Sequence, residues 1–119
     1  MSSSEATFLF FPPITMKMNK FVLCPARHNH PSIDGLSSIF EETENIFDLK
    51  FTKDFEKYMS GCNYPELEVY ITGLTPAYDK LMKRLNDWEA DHNGSYEKYN
   101  VFILKSMHFD RNTNEYRTI

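Results

Sequence analysis

The sequence predicts a small single-domain α/β fold, with a mixed sheet, a βαβ unit and one principal amphipathic helix. Three observations carry this. Glu68 to Ala77 reads as strand, tight turn and capped helix, since Val69–Ile71 is β-prone, Gly73 marks the turn, and Thr75-Pro76 places a capping residue before a proline suited to the first helical position. The apolar positions Ala77, Tyr78, Leu81, Met82, Leu85 and Trp88 then recur with a period near 3.6. Strand-like runs flank this unit on both sides, which favours parallel pairing across the helix.

The elements follow in chain order. Residues 1–17 are expected to be a flexible extension, with a Ser-rich start and a short apolar run at Phe8–Phe11 that could add an edge strand or fill a neighbour's groove. Met18 is a second possible start. The single α/β domain is expected over 18–119. Lys20–Cys24 is a strand whose run of four apolar residues suits cover on both faces, and Pro25 ends it. Ala26–Pro31 is a polar loop, Asp34-Gly35 a turn, Ser37–Phe40 a short apolar segment, and Glu41–Glu44 a solvated acidic stretch. The alternation of Phe47–Phe51 predicts a short strand. Thr52 is placed to cap a helix over Lys53–Met59, stopped by Ser60-Gly61.

The principal helix runs for roughly 15 residues after Thr75, in line with the commoner lengths of globular helices, and His92–Ser95 ends it. Tyr99–Met107 is the next strand. His108–Tyr116 reads as strand, turn and strand, with Asn112-Thr113-Asn114 tolerant of left-handed backbone. The last strand, about Glu115–Thr118, should pair back antiparallel.

Composition narrows the function. The chain has 119 residues with 17 acidic and 13 basic side chains, a net charge of −4. An acidic chain without a basic run is a poor candidate for non-specific nucleic-acid binding. No apolar run approaches the roughly 20 residues that span a membrane. Ten Phe and seven Tyr are more large apolar surface than a small monomer easily hides, so a homo-oligomer, dimer or higher, is expected. Cys24 and Cys62 lack metal or disulfide spacing and read as reduced thiols, with Cys24 inert inside its strand.

No Walker-type loop or GxGxxG fingerprint is present. His28-Asn29-His30 spells HNH, but the nuclease motif spreads those residues over a ββα unit. A metal held by His28 and His30, completed by Asp34 or His108, lacks a third ligand at diagnostic spacing. Asp110 has the plausible partners His108 and Arg111, and such a hairpin pair is commonly a surface ion pair. If the three longer strands are parallel neighbours, Arg27-His28, Thr72–Thr75 and His108–Arg111 all fall at one sheet edge. That edge would offer guanidinium groups and backbone N–H donors for phosphate, and an acid for ribose hydroxyls. The helix start alone more often describes an ordinary helix that binds nothing.

Three motifs, in this order, carry a resemblance: Ala26-Arg27-His28 after the first strand, Val69-Tyr-Ile-Thr-Gly-Leu-Thr-Pro-Ala77 opening the helix, and His108-Phe-Asp-Arg-Asn-Thr-Asn-Glu-Tyr116 near the end. Together they resemble the T-A-R-H, V-T-G-L-T-x-A-L and H-Y-D-R-x-T-G-x-Y segments of the Thoeris anti-defence protein 1 family of phage. The resemblance spans about Met18 to Tyr116, with Pro25, Tyr78 and Asn114 departing from the pattern. It implies an oligomeric sponge in the host bacterial cytoplasm. Such proteins sequester cyclic ADP-ribose signals, and some trap cyclic nucleotides, without cleaving them. By motif match it implies ligand contacts from Arg27, His28, Thr72, Gly73, Leu74, Thr75, Asp110 and Arg111, with no catalytic residue, metal or cofactor. Rival readings are a small cyclic-nucleotide hydrolase or nuclease using His28 or His108, and an inhibitor acting by protein contact through Glu41–Glu44 and Phe8–Phe11.

Overall fold

A computed structural model describes residues 18–62, 64–92 and 102–119. The expectations for residues 1–17, for the helix stop at Asn93–Ser95 and for a strand beginning at Tyr99 lie outside these residues. Within them the chain forms strand β1 (Asn19–Val22), a 3-10 turn (Ile46–Asp48), helix α1 (Lys53–Ser60), strand β2 (Glu66–Tyr70), helix α2 (Thr75–His92), strand β3 (Ile103–Asp110) and strand β4 (Glu115–Arg117). The sheet order is β1-β2-β3-β4, with β1, β2 and β3 parallel and β4 antiparallel. This is a small α/β domain with a mixed sheet, and β2-α2-β3 is its βαβ unit.

Alternation along the strands separates two faces. Phe21, Leu67 and Val69 point toward the helices, where they meet Phe55 and Met59 of α1 and Ala77, Leu81, Leu85 and Trp88 of α2. Apolar burial of this extent is the main stabilising term of the fold. The periodic stripe read from α2 is therefore core, and the helix extends to 18 residues. Thr52 caps α1 as its position suggests. Its hydroxyl accepts from the Phe55 amide at 3.2 Å and donates to the Ser38 carbonyl at 2.8 Å. Ser37–Phe40 runs beside the end of β1, with the Val22 amide donating to Ser37 and the Ile39 amide donating to Val22. Ile39 and Phe40 are fully buried there.

Phe47–Phe51 is not a strand. Only Phe51 makes an isolated bridge, to Phe40, and residues 46–48 coil into a 3-10 turn. The cause is local: Asn45 Oδ1 accepts from the Phe47 amide at 3.0 Å, and its Nδ2 donates to Asp48 at 3.2 Å. Such side-chain bonds give the backbone an alternative to a sheet ladder. They leave Phe47 87% exposed.

The opposite sheet face carries a polar row in register, Lys20↔Glu68↔Lys105. Glu68 meets Lys20 at 3.8 Å and Lys105 at 3.7 Å, and accepts a hydrogen bond from the Tyr70 hydroxyl at 2.5 Å. Burial first, and the adjacent Glu68 charge second, push the Tyr70 hydroxyl up to about 12. Burial likewise raises Tyr58 to about 12. An unfolded tyrosine ionises near pH 10, so the folded state holds protons that the unfolded state has released. This contribution to stability is complete below pH 10 and is lost as pH rises through 12. The urea midpoint should fall across that window, while phenolate absorbance of the folded protein lags that of the unfolded chain. A midpoint that stays level to pH 12 would contradict the assignment.

Candidate functional site at the carboxyl edge of the parallel strands

Because β1, β2 and β3 are parallel, the segments after Val22, Tyr70 and Met107 emerge at the same edge of the sheet. In open parallel sheets this is the end where ligands bind. The convergence that the sequence made conditional on parallel strands is therefore present in the backbone.

A tight junction fixes the edge. The Thr72 hydroxyl accepts from the Cys24 amide at 3.0 Å and donates to the Cys24 carbonyl. Gly73 follows at φ +77°, and a Cβ there would lie 2.6 Å from Cys24 Cβ. Burial pushes the Cys24 thiol up, and a hydrogen bond from the Leu74 backbone opposes this. A buried thiol with a raised pKa is a poor nucleophile. Both cysteines are free.

Beyond this junction lies a pocket of about 270 Å³ whose lining includes Arg27, Gly73 and Leu74, together with Glu42 and Thr43. Arg27 pairs with Glu44 at 3.6 Å, both side chains being largely exposed. Such a pair contributes little, so the guanidinium is free to turn to a ligand. Helix α2 begins at Thr75 itself, one residue earlier than the capping pattern suggests, and has no acidic residue in its first turn. The positive end of its dipole is thus not neutralised by its own side chains. The backbone donors are fewer than the sequence implies. Pro76 has no N–H, the Ala77 amide donates to Leu74, and the Leu74 amide serves Cys24. Among the described residues, Gly73 and Thr75 are left as the amides of this turn that a ligand can use.

A larger cleft of about 770 Å³ adjoins this pocket, and Pro25 lines both. It is built by residues 25–38, with Val22 and Ile33 at its apolar base. Two histidines wall it. His28 Nε2 lies 3.1 Å from the Tyr116 hydroxyl, and the two rings stack with an interplanar angle of 14°. His30 Nε2 donates to the Asn114 carbonyl at 2.8 Å, and its Nδ1 accepts from the Ser32 amide at 3.1 Å. These contacts clamp the loop to the β3–β4 hairpin. They engage Nε2 of His28 and both ring nitrogens of His30, and among the described residues no three His, Cys, Asp or Glu side chains are grouped to hold a metal.

The eight expected contact residues therefore separate. Arg27, Gly73 and Leu74 line the smaller pocket, and His28 lines the cleft. Thr75 is exposed at the start of α2. Thr72 is buried, and its hydroxyl is occupied by Cys24. Asp110 does not pair with Arg111 or His108. It accepts from the Asn112 amide at 2.9 Å and pairs with Arg117 at 3.0 Å, across the hairpin. The Asn112 bond first, and Arg117 with it, hold its carboxyl below the usual range. Asp110 thus stabilises the turn in which Asn114 takes φ +57°. Arg111 is exposed in that turn and lines neither pocket.

Tyr116 and the engagement of His30 escaped the sequence reading, because no local pattern links residues so far apart. Glu68 and Tyr70 were legible in principle, since strand alternation around the buried Val69 places both on the other face. Among the described residues no helix is long and apolar enough to cross a membrane. Comparison with protein-family models, with curated proteins and with solved structures finds no match for this chain.

Proposed function

We propose that this chain binds and sequesters a cyclic ADP-ribose-type signal, or a related cyclic nucleotide, without cleaving it, as a phage anti-defence protein acting in the host bacterial cytoplasm. The observation that carries the reading is the convergence of the three motif-bearing segments at the carboxyl edge of parallel β1, β2 and β3. Arg27, weakly held by Glu44, and the start of α2 are the groups suited to the pyrophosphate. Glu42 in the same pocket works against an anion, so the affinity rests on Arg27 and the backbone donors outweighing it. Holding rather than converting is favoured by the commitment of His28 and His30 to the hairpin and by the buried, high-pKa thiol of Cys24. A homo-oligomer is part of the proposal, and the exposed Phe47, Tyr64 and Ile103 support it.

Calorimetry with a cyclic ADP-ribose isomer tests this. Arg27→Ala should weaken binding by about 10- to 100-fold, the size of a hydrogen bond to a charged group. Arg111→Ala, outside both pockets, should have the smaller effect. Heat-denatured complex should release intact ligand, as judged by mass spectrometry. Unchanged affinity in both variants would sink the assignment, and recovery of a cleaved product would turn the chain into an enzyme.

One observation favours a second reading, inhibition by protein contact. Phe47 stands exposed with Asp48 next to it and Glu44 three residues before it in the chain, as an apolar anchor with acidic neighbours would. Tight binding to a purified partner without any small molecule would support it.

A further inference from the structure

We propose that the two adjoining pockets divide the ligand, and that the cleft of residues 25–38 receives its uncharged, hydrogen-bond-donating part, a ribose diol or an amino-substituted base, with Asp34 as the acceptor. This rests on the nucleotide reading above and assigns the acidic role to a different residue from the motif-matched Asp110.

Size and charge separate the pockets. The cleft, about 770 Å³, is in the range of small-molecule sites, whereas the Arg27 pocket is about 270 Å³. Among the described residues no lysine or arginine lines the cleft, and Asp34 does. A carboxylate without a cation repels phosphate and accepts from O–H or N–H groups. Asp34 is exposed and has no ion pair or hydrogen bond among the described residues. Asp110, by contrast, has one carboxylate oxygen on the Asn112 amide and the other on Arg117. A ribose would have to displace both. Asn29, also in the cleft wall and exposed, adds an amide that can donate or accept.

The cleft is held open in advance. His28 and His30 are fixed by Tyr116 and Asn114, and Phe109 packs against both imidazoles at 5.6 and 5.9 Å. The turn that carries Asp34 is pinned by Ile33 donating to His30 and Leu36 donating to Ile33. Ordering costs on binding are therefore small. Because Pro25 lines both pockets, a ligand with its phosphates at Arg27 has its sugar or base entering the cleft.

The test titrates the full chain, and the variants Asp34→Asn and Arg27→Ala, with adenosine, adenine, inorganic pyrophosphate and ADP-ribose. Amide chemical shifts and calorimetry are the readouts. Asparagine suits the turn before Gly35, and an unchanged urea midpoint verifies that Asp34→Asn is folded. Adenosine should shift the amides of residues 28–36, bind independently of salt, weaken about tenfold in Asp34→Asn and keep its affinity in Arg27→Ala. Pyrophosphate should show the opposite pattern and a strong salt dependence. Adenine that retains the Asp34 dependence assigns the amino group to Asp34, and adenine that loses it assigns the ribose diol. If ADP-ribose binds but adenosine leaves residues 28–36 unmoved, or Asp34→Asn binds adenosine like the parent, the cleft assignment falls and the nucleotide reading stands. If none of the four probes binds, the cleft assignment falls, and the titration with a cyclic ADP-ribose isomer decides the nucleotide reading.

Discussion

Replacing Gly73 with alanine should destabilise the protein by about 2–5 kcal/mol, the sum of left-handed strain and overpacking. Two physical terms act together. The residue sits at φ +77°, where a Cβ crowds its own backbone, and that Cβ would lie 2.6 Å from Cys24 Cβ and 3.0 Å from its sulfur. The sulfur can turn about its side-chain bond, but Cys24 Cβ moves only with the backbone that follows β1, so the closer contact is not relieved by a rotamer change. Gly35 provides the control. Its φ of +76° is nearly the same, yet nothing lies within 4 Å of the Cβ position. Gly35→Ala should therefore cost only the strain, about 1–2 kcal/mol. Cys24→Ala should rescue little of the Gly73→Ala loss, since the closest clash is with Cβ. Urea denaturation of the four proteins measures each difference. Equal losses at Gly35 and Gly73 would show that the junction yields and that the close approach to Cys24 is not a constraint.

Thr72→Val is expected to cost about 2–6 kcal/mol, because a buried backbone donor and a buried acceptor each lose their partner at about 1–3 kcal/mol apiece. Valine matches threonine in shape and remains β-branched, so packing and backbone preference change little. What it removes is the hydroxyl that accepts from the Cys24 amide and donates to the Cys24 carbonyl. Thr72→Ser keeps both bonds and should cost about 1 kcal/mol, the burial of one methyl group. The serine variant also separates stability from binding. If Thr72 served a ligand, valine would weaken binding in a folded, urea-tested protein. If it serves Cys24 alone, the loss is in the urea midpoint. A valine variant as stable as the parent would show that the junction is held by packing instead.

Much of the fold was legible because its signals are local. Thr52 caps α1 through a bond three residues away, the α2 stripe repeats every turn, and Asn114 adopts the left-handed backbone its residue type allows. Legibility failed at Phe47–Phe51, where alternation suggested a strand and the side chain of Asn45 won the backbone. It failed again at Asp110, whose nearest basic neighbours in sequence are not its partners. Its salt bridge goes to Arg117, which the hairpin places opposite His108 and diagonally across from Asp110.

By itself the sequence determined most of the elements and their order, while the parallel pairing that puts the three motif segments at one edge was decided by the tertiary structure. Periodicity, capping and turn chemistry are properties of neighbouring residues. Only the tertiary structure decided which polar groups at that edge are spent and which are free. Thr72 is taken by Cys24, 48 residues away, His28 by Tyr116, 88 away, and His30 by Asn114, 84 away. A hydroxyl or imidazole has the same chemistry in every sequence that contains it. Its availability depends on whether folding brings a partner within about 3 Å, and for Arg27 and Asp34 it brings none that holds.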